Sequence, residues 1–149
     1  MRVRDLLSKT PRTVSSLTDR HTISDAVKSL VAPDTSAVLV TSEAGRPGIL
    51  TRSDILRVWN DSSRKPFGHV VLKEAMTAEL ITAGPDDDLA DSIATMLRAR
   101  VGHLPVCESG RVIAVLRLKD LFAIYVEALN NELEHLNDYI EQLHDSFQD

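Results

Sequence analysis

The stretch Gly48-Ile49-Leu50-Thr51-Arg52-Ser53-Asp54-Ile55-Leu56 decides how this chain folds. Its apolar first half is typical of a short strand, and its second half is typical of a helix that follows without a loop. A hydroxyl at Thr51 and a carboxylate at Asp54 flank the junction. The pattern returns in Ala114-Val115-Leu116-Arg117-Leu118-Lys119-Asp120-Leu121-Phe122, at an offset of 66 (120 − 54). Asp120 therefore corresponds to Asp54, and Arg117 to Thr51.

The duplication extends over most of the chain, as internal repeats do when one structural unit is copied. Two further pairs of segments share the offset of 66, and a lead-in pair has an offset of 69 (72 − 3). The pairs are Ile23–Val27 with Leu89–Ile93, Ala37–Val40 with His103–Val106, and Val3–Leu7 with Leu72–Met76. A small deletion in the second copy accounts for the change of offset.

Each copy is predicted to have a helical lead-in followed by the order β-α-β-β-α. First strands are expected at Thr13–Ser15 and Leu80–Thr82, and Thr22 and Asp88 are plausible N-caps of the amphipathic helices. The closing helices are expected to start at the aspartates of the two junctions.

The turns between the paired strands, at Ser42–Arg46 and Glu108–Arg111, each contain a glycine. Glycine adopts positive φ without steric cost, so each turn is predicted to use that freedom.

Neither copy is long enough to bury a large core alone, so the two should pack sheet against sheet. The expected class is α/β (α+β) with a long C-terminal helix. The expected divisions are a first repeat at 1–62, a connector at 63–68, a second repeat at 69–124 and a coiled-coil helix at 125–149.

Beyond the second repeat, apolar residues recur at alternating spacings of four and three, which is a heptad pattern. These residues, called the seam below, are Phe122, Val126, Leu129, Leu133, Leu136, Ile140, Leu143 and Phe147. Acidic residues such as Glu134 and Asp138 fall on the outer face. Leucine at the d positions is compatible with a parallel dimer. The alternative is a helix that lies back on its own domain.

Composition narrows the function classes. The net charge of −5 argues against nucleic-acid binding, which needs basic surface. The chain has no apolar run long enough to span a membrane, and no apolar segment follows the first residues as in a secretory signal. The single cysteine, Cys107, is interpreted as a half-buried strand residue. These features favour a cytoplasmic protein.

The two motifs resemble the signature stretches of the cystathionine-β-synthase (CBS) domain, at 48–56 and again at 102–116. The resemblance covers about residues 2 to 123, and two such domains in tandem form a Bateman module. It implies a pseudo-two-fold disc with two clefts that take AMP, ADP, ATP or S-adenosylmethionine. Such modules are generally regulatory and not catalytic, and they often pair into four-domain discs.

The chemistry of the first junction suits a nucleotide. A carboxylate can accept hydrogen bonds from both ribose hydroxyls, and a hydroxyl beside free helix N–H groups can meet phosphate. The resemblance implies that Asp54 contacts ribose and that Thr51 contacts phosphate. The alternative is structural, because Ser53 or Asp54 could cap the helix and Thr51 could be an ordinary strand residue.

The second junction departs from the pattern. Arg117 could be a surface residue, a bidentate phosphate ligand or a plug in the cleft, while Asp120 keeps the ribose option. The resemblance implies that His103 reaches phosphate, although it could be an ordinary surface histidine.

The resemblance also places the adenine against the short extended segments of the two copies. These residues are Val14 and Ser15 in the first copy and Ile81, Thr82 and Ala83 in the second.

No metal is required by the pattern, since the histidines lack ligand spacing and Asp86-Asp87-Asp88 suits helix capping. No catalytic set stands out, so an enzyme is not expected. The expected function is a dimeric, adenine-nucleotide-responsive regulatory module that dimerises through its CBS faces and its C-terminal helix. Its expected partner, besides a second copy of the chain, is an output domain or another protein. The alternative is an unliganded dimerisation scaffold.

Overall fold

The computed structural model describes residues 1–9, 14–33, 35–43, 45–61 and 66–148. Within these ranges the chain forms six α-helices, five strands and one short 3-10 helix, Phe67–His69. In chain order the helices and strands are α1 (Arg4–Leu7), β1 (Ser16–Thr18), α2 (Ile23–Leu30), β2 (Ala37–Thr41), β3 (Gly48–Thr51), α3 (Arg52–Asp61), α4 (Leu72–Ala75), α5 (Leu89–Ala99), β4 (His103–Glu108), β5 (Arg111–Arg117) and α6 (Leu118–Phe147). The expected mixed fold with a long C-terminal helix is confirmed. Within the predicted connector, residues 63–65 lie outside the described residues.

The two sheets differ at their first strand. In the first repeat β1 pairs in parallel with β2, which pairs antiparallel with β3. This first strand begins at Ser16, so the predicted position was too early, and Thr13 lies outside the described residues. In the second repeat β4 and β5 form a two-stranded sheet, and a single bridge from Ala83 to Val106 replaces the predicted strand at Leu80–Thr82.

A proline explains the missing strand. In the first repeat the N–H of Leu39 donates to the carbonyl of Ser15 at 2.8 Å. The residue equivalent to Leu39 is Pro105 (39 + 66), which has no N–H to offer to Ile81. Backbone pairing of this segment with β4 therefore starts only at Ala83, whose N–H donates to the Pro105 carbonyl at 3.0 Å.

Equivalent contacts join the two repeats and follow the predicted offsets. Arg2 forms an antiparallel bridge with Asp88, and Val71 forms one with Thr22. The two bridges are related by offsets of 69 (71 − 2) and 66 (88 − 22), as the sequence predicts. The repeats are thus arranged with a pseudo-two-fold relation.

The lead-in helices are exchanged between the two cores. Helix α1 and its N-cap place Leu6 and Val3 in one cluster with Leu89, Met96 and other residues of the second repeat. Helix α4 places Leu72 and Ala75 in the cluster of α2, β2 and β3 from the first repeat. Each core therefore needs a segment from the other repeat, which ties the two together.

Helix starts and turns follow local side-chain chemistry. The predicted N-caps Thr22 and Asp88 are confirmed, and Gly110 has the predicted positive φ of 77°. In the other turn, Ala44 lies outside the described residues. The closing helices begin two residues before the aspartates, at Arg52 and Leu118, so their predicted starts at Asp54 and Asp120 were wrong. Each aspartate occupies the third helical position, from which a carboxylate reaches back to the residue before the helix.

Helix α6 has two apolar faces. One face packs on the second core through the fully buried Leu121 and the partly buried Ile124 and Tyr125. The other face is the seam, whose eight residues are between 40% and 84% exposed. Different residues therefore dock α6 on its own domain, and the seam is left on the surface. In the described part of the chain, no helix is both long and apolar enough to cross a membrane.

Candidate functional site

A cleft of about 340 Å³ lies between the two repeats. The first repeat supplies Thr51 and Asp54 from the junction of β3 and α3, and the second supplies Ile81 and His103. Among the described residues, its lining is Ser36, Ile49, Thr51, Arg52, Ser53, Asp54, Thr77, Glu79, Leu80, Ile81, Arg100, Val101, Gly102, His103 and Pro105. Four of the sequence-predicted site residues thus meet in one cleft.

Asp54 is the buried polar centre of this cleft, with 7% of the residue exposed. Its Oδ2 accepts hydrogen bonds from the backbone N–H of Thr51 at 3.0 Å and from the Thr51 hydroxyl at 3.3 Å. Its Oδ1 accepts from the Arg57 guanidinium at 3.2 Å and from the Thr77 hydroxyl at 2.9 Å. A carboxylate has about four acceptor positions, so this one is satisfied by the protein itself.

The Thr-x-x-Asp spacing alone does not define a ligand site. Thr22 and Asp25 repeat it at the start of α2, where the Thr22 N–H and hydroxyl donate to Asp25 Oδ2 at 3.1 and 3.2 Å. The Thr22 backbone hydrogen bond lowers the pKa of Asp25. Thr22 and Asp25 form a capping box, and Asp54 makes the same bond back to the backbone N–H of Thr51. What distinguishes Thr51 and Asp54 is the cleft beside them.

His103 lies at the end of the cleft where Arg52 supplies positive charge. Its Nε2 lies 2.9 Å from the Ser36 hydroxyl of the other repeat. Burial is the main cause that lowers the pKa of His103, and the neighbouring guanidiniums of Arg117 and Arg52 lower it further. Arg52 is held in place because its Nη2 donates to the carbonyls of Leu30 at 2.8 Å and Thr35 at 3.3 Å.

A second hollow of about 740 Å³ adjoins the cleft. The two share Ser36, Arg52, Gly102 and His103. The second hollow adds Arg117 and Lys119, so positive charge continues beyond His103. A ligand with an anionic end could extend from the cleft into this hollow.

The second junction is closed by its own ion pair. Arg117 Nε donates to Asp120 Oδ2 at 2.7 Å, with both side chains about one-third exposed, at 35% and 33%. Asp120 is not part of the cleft lining. The two junctions therefore differ in structure as well as in sequence.

The remaining predicted wall residues lie elsewhere. Val14 and Ser15 lie immediately before β1 and do not line the cleft. Thr82 and Ala83 line a separate hollow of about 200 Å³, and Ala83 is part of the second core. Of the predicted adenine-contacting segments, only Ile81 reaches the Thr51–Asp54 cleft.

The acidic triplet serves local structure. Arg4 donates to Asp86 at 3.1 Å and lowers the pKa of that carboxyl. Asp87 accepts the N–H of Gly84 at 2.8 Å, and Asp88 caps α5. Among the described residues, no three His, Cys, Asp or Glu side chains are grouped so that they could hold a metal ion. Cys107 is half-buried on β4 as predicted, and burial raises its thiol pKa.

Sequence reasoning missed Thr77 and Arg57, the two partners of Asp54 Oδ1. Thr77 is 23 residues from Asp54 and comes from the other repeat, so no local motif connects them. Its position is set by backbone pairing with Ile49, at 3.0 and 2.9 Å. The one local signal is Gly48, since a Cβ there would lie 3.0 Å from the Thr77 carbonyl oxygen. That glycine marks a close approach between the repeats.

A tandem α+β repeat with a ligand-sized cleft between its copies defines the class of protein. The CBS domain model matches residues 3–61 and 72–127, which is most of the chain. The chain belongs to the CBS domain family and contains a tandem pair.

Curated relatives contain the same domain. The CBS domain-containing protein YhcV of Bacillus subtilis is 25% identical over 119 residues, which cover 80% of this chain and 81% of YhcV. The Arabidopsis thaliana protein CBSCBSPB2 is 33% identical over 103 residues, which cover 68% of this chain. The match spans only 19% of that longer protein.

Solved structures show the same fold. The CBS domain structure NE2398 superposes with a TM-score of 0.77 at 28% identity, over 85% of this chain and 98% of that one. A hexameric CBS-CP12 protein from bloom-forming cyanobacteria has a TM-score of 0.70 at 15% identity, over 82% and 69% of the two chains. At that identity the second likeness concerns the fold alone.

Proposed function

We propose that this CBS pair is a regulatory module that binds an adenine nucleotide, AMP, ADP, ATP or S-adenosylmethionine, in the cleft between its repeats. The observation that carries the proposal is the composition of that cleft. An apolar wall at Ile81, a buried carboxylate at Asp54 and a cationic end at Arg52, with the His103 imidazole beside it, lie around one cavity. These are the groups that a base, a ribose and a phosphate require.

Each residue then has a distinct role. Asp54 accepts the ribose hydroxyls, and Ile81 packs against the base. His103, with Arg52 and Arg117 beside it, faces the phosphates, and Thr51 contributes its hydroxyl once it turns from Asp54. Loss of a charge-assisted hydrogen bond to ribose costs about 1.5–3 kcal/mol.

The Thr51–Asp54 cleft is the proposed ligand site, and the second junction is proposed to remain empty. The Arg117–Asp120 pair occupies the carboxylate that would meet a second ribose. That pair also lies at the start of α6, so a phosphate that draws Arg117 away would act on this helix directly. Ligand occupancy would thereby reach the C-terminal helix and an output domain or protein partner.

The module is further proposed to form a homodimer through its domain faces and the seam of α6. The seam supports this because its apolar residues are exposed while a different face of α6 packs on the domain. Its flanking positions carry almost no charge, which removes a source of repulsion between two copies.

Calorimetric titration tests the ligand. AMP, ATP and S-adenosylmethionine are titrated into the wild type, Asp54→Asn and Asp25→Asn. At least one nucleotide should bind the wild type. Asp54→Asn should weaken it at least tenfold, while Asp25→Asn, which alters the matching capping box at α2, should bind like the wild type. No binding by the wild type, or equal effects of the two substitutions, would rule out the proposed site.

A dimerisation scaffold without a ligand is the second candidate, and one observation favours it. All four acceptor positions of Asp54 are already filled by the protein. If the scaffold is the true function, none of the three nucleotides binds although the protein is dimeric.

A further inference from the structure

We infer that the Thr77 hydroxyl is an internal competitor for the ribose site and acts as a latch between the two repeats. The inference rests on the proposed function and extends it to the regulation of ligand affinity. It starts from the saturation of Asp54, whose carboxylate cannot accept a ribose hydroxyl unless an existing donor leaves.

The donors to Asp54 are not equivalent. Those on Oδ2 both come from Thr51, at the N-cap of the same helix. The donors on Oδ1 are the long side chain of Arg57 in the same helix, at 3.2 Å, and the hydroxyl of Thr77 from the second repeat, at 2.9 Å. Arg57 has a second partner in the carbonyl of Ala75 at 2.9 Å, and its side chain is 51% exposed. A ribose has two hydroxyls and needs two acceptor positions. The Thr51 hydroxyl frees one on Oδ2 when it turns toward phosphate, and the Thr77 hydroxyl is the neutral donor on Oδ1 that the other ribose hydroxyl replaces.

The exchange couples the ligand to the contact between the repeats. Thr77 belongs to the second repeat and Asp54 to the first, and their hydrogen bond lies beside the backbone pair of Thr77 with Ile49. When ribose takes Oδ1, this side-chain tie is lost, and the backbone pair of Thr77 with Ile49 is no longer supported by it. Binding thus loosens one specific contact between the repeats.

The second junction has no such latch. At the offset of 69 the residue equivalent to Thr77 is Ser8 (77 − 69), whose hydroxyl donates to the carbonyl of Asp5 at 3.4 Å. At the offset of 66 the residue equivalent to Arg57 is Ala123 (57 + 66). Asp120 pairs with Arg117 instead. The latch is therefore particular to the proposed ligand cleft.

The test measures AMP affinity by calorimetry in the wild type, Thr77→Val and Thr77→Ser. Valine keeps the shape and removes the competing hydroxyl, so Thr77→Val should bind AMP about tenfold more tightly than the wild type. Thr77→Ser restores the hydroxyl and should bind within about twofold of the wild type. With 2′-deoxy-AMP, which lacks one of the two ribose hydroxyls, the gain from valine should shrink.

Hydrogen exchange of the wild type gives an independent readout, even if Thr77→Val fails to fold. AMP should speed exchange of the Thr77 and Ile49 amides relative to the free protein. Unchanged or weaker AMP binding by Thr77→Val, or slower exchange at both amides on AMP addition, would overturn the latch while leaving nucleotide binding intact. Absence of nucleotide binding by every variant would instead overturn the proposed function and the latch with it.

Discussion

Replacement of Leu136 by glutamate in the middle of the α6 seam should dissociate the proposed dimer. Leu136 is 53% exposed, so a partner helix would bury about half of its side chain. Full burial of a leucine is worth about 1.5–3 kcal/mol, so half burial gives about 1 kcal/mol for each copy and about 2 kcal/mol for the pair. Burial of two facing carboxylates would cost about 2 kcal/mol more. The sum of about 4 kcal/mol corresponds to a roughly thousandfold weaker dimer.

Sedimentation velocity over a concentration series measures this change. Asn131→Glu is the matched control, because it adds the same charge to the same helix at an exposed position outside the seam. The wild type and Asn131→Glu should sediment as dimers at concentrations where Leu136→Glu is a monomer. A monomeric wild type, or a Leu136→Glu dimer as tight as that of the control, would refute the seam as the interface.

Two further predictions concern the body of the protein. Gly48→Ala should lower the free energy of unfolding by about 2 kcal/mol, because the added Cβ would lie 2.5 Å from Met76 Sδ and 3.0 Å from the Thr77 carbonyl oxygen. Thermal denaturation should show a fall of about 4–8 °C in Tm, whereas Gly102→Ala, which meets no atom within 4 Å, should leave Tm unchanged. For His103, whose folded pKa lies below its ordinary value of 6.5, the unfolded state takes up the proton first as pH falls. The stability that depends on neutral His103 is therefore complete above pH 6.5 and is lost as the pH falls below it. Chemical denaturation at pH 5 to 7 measures the free energy of unfolding. This free energy should depend less on pH in His103→Gln than in the exposed control His135→Gln.

The repeat was readable from the sequence because it is a property of spacing. Two offsets predicted which residues are equivalent, and the bridges of Arg2 with Asp88 and of Thr22 with Val71 confirm both. The exchange of α1 and α4 between the cores was not predicted. Both copies offer the same apolar pattern, so the sequence does not say which lead-in packs on which core.

The sequence does contain the reason why the second repeat lacks its first strand. Pro105 cannot donate the hydrogen bond that Leu39 gives to Ser15 in the first repeat. Attention to the missing N–H at that aligned position would have predicted a bridge at Ala83 in place of a strand.

The site was predicted in part. Thr51, Asp54, Ile81 and His103 do share a cleft, but their spacing alone does not show that Asp54 is saturated. The same Thr-x-x-Asp spacing at Thr22 and Asp25 makes only a helix cap. Thr77 escaped notice because its contact depends on how the repeats pack, which no local pattern records.

A crystal structure of the protein grown with AMP or ATP tests the central claim most directly. The ribose hydroxyls should lie within hydrogen-bonding distance of the two Asp54 carboxylate oxygens, with the base against Ile81 and the phosphates toward His103 and Arg52. Thr77 should have turned away from the carboxylate. A nucleotide bound elsewhere, or a cleft that stays empty while Thr77 remains on Asp54, would contradict the proposed site.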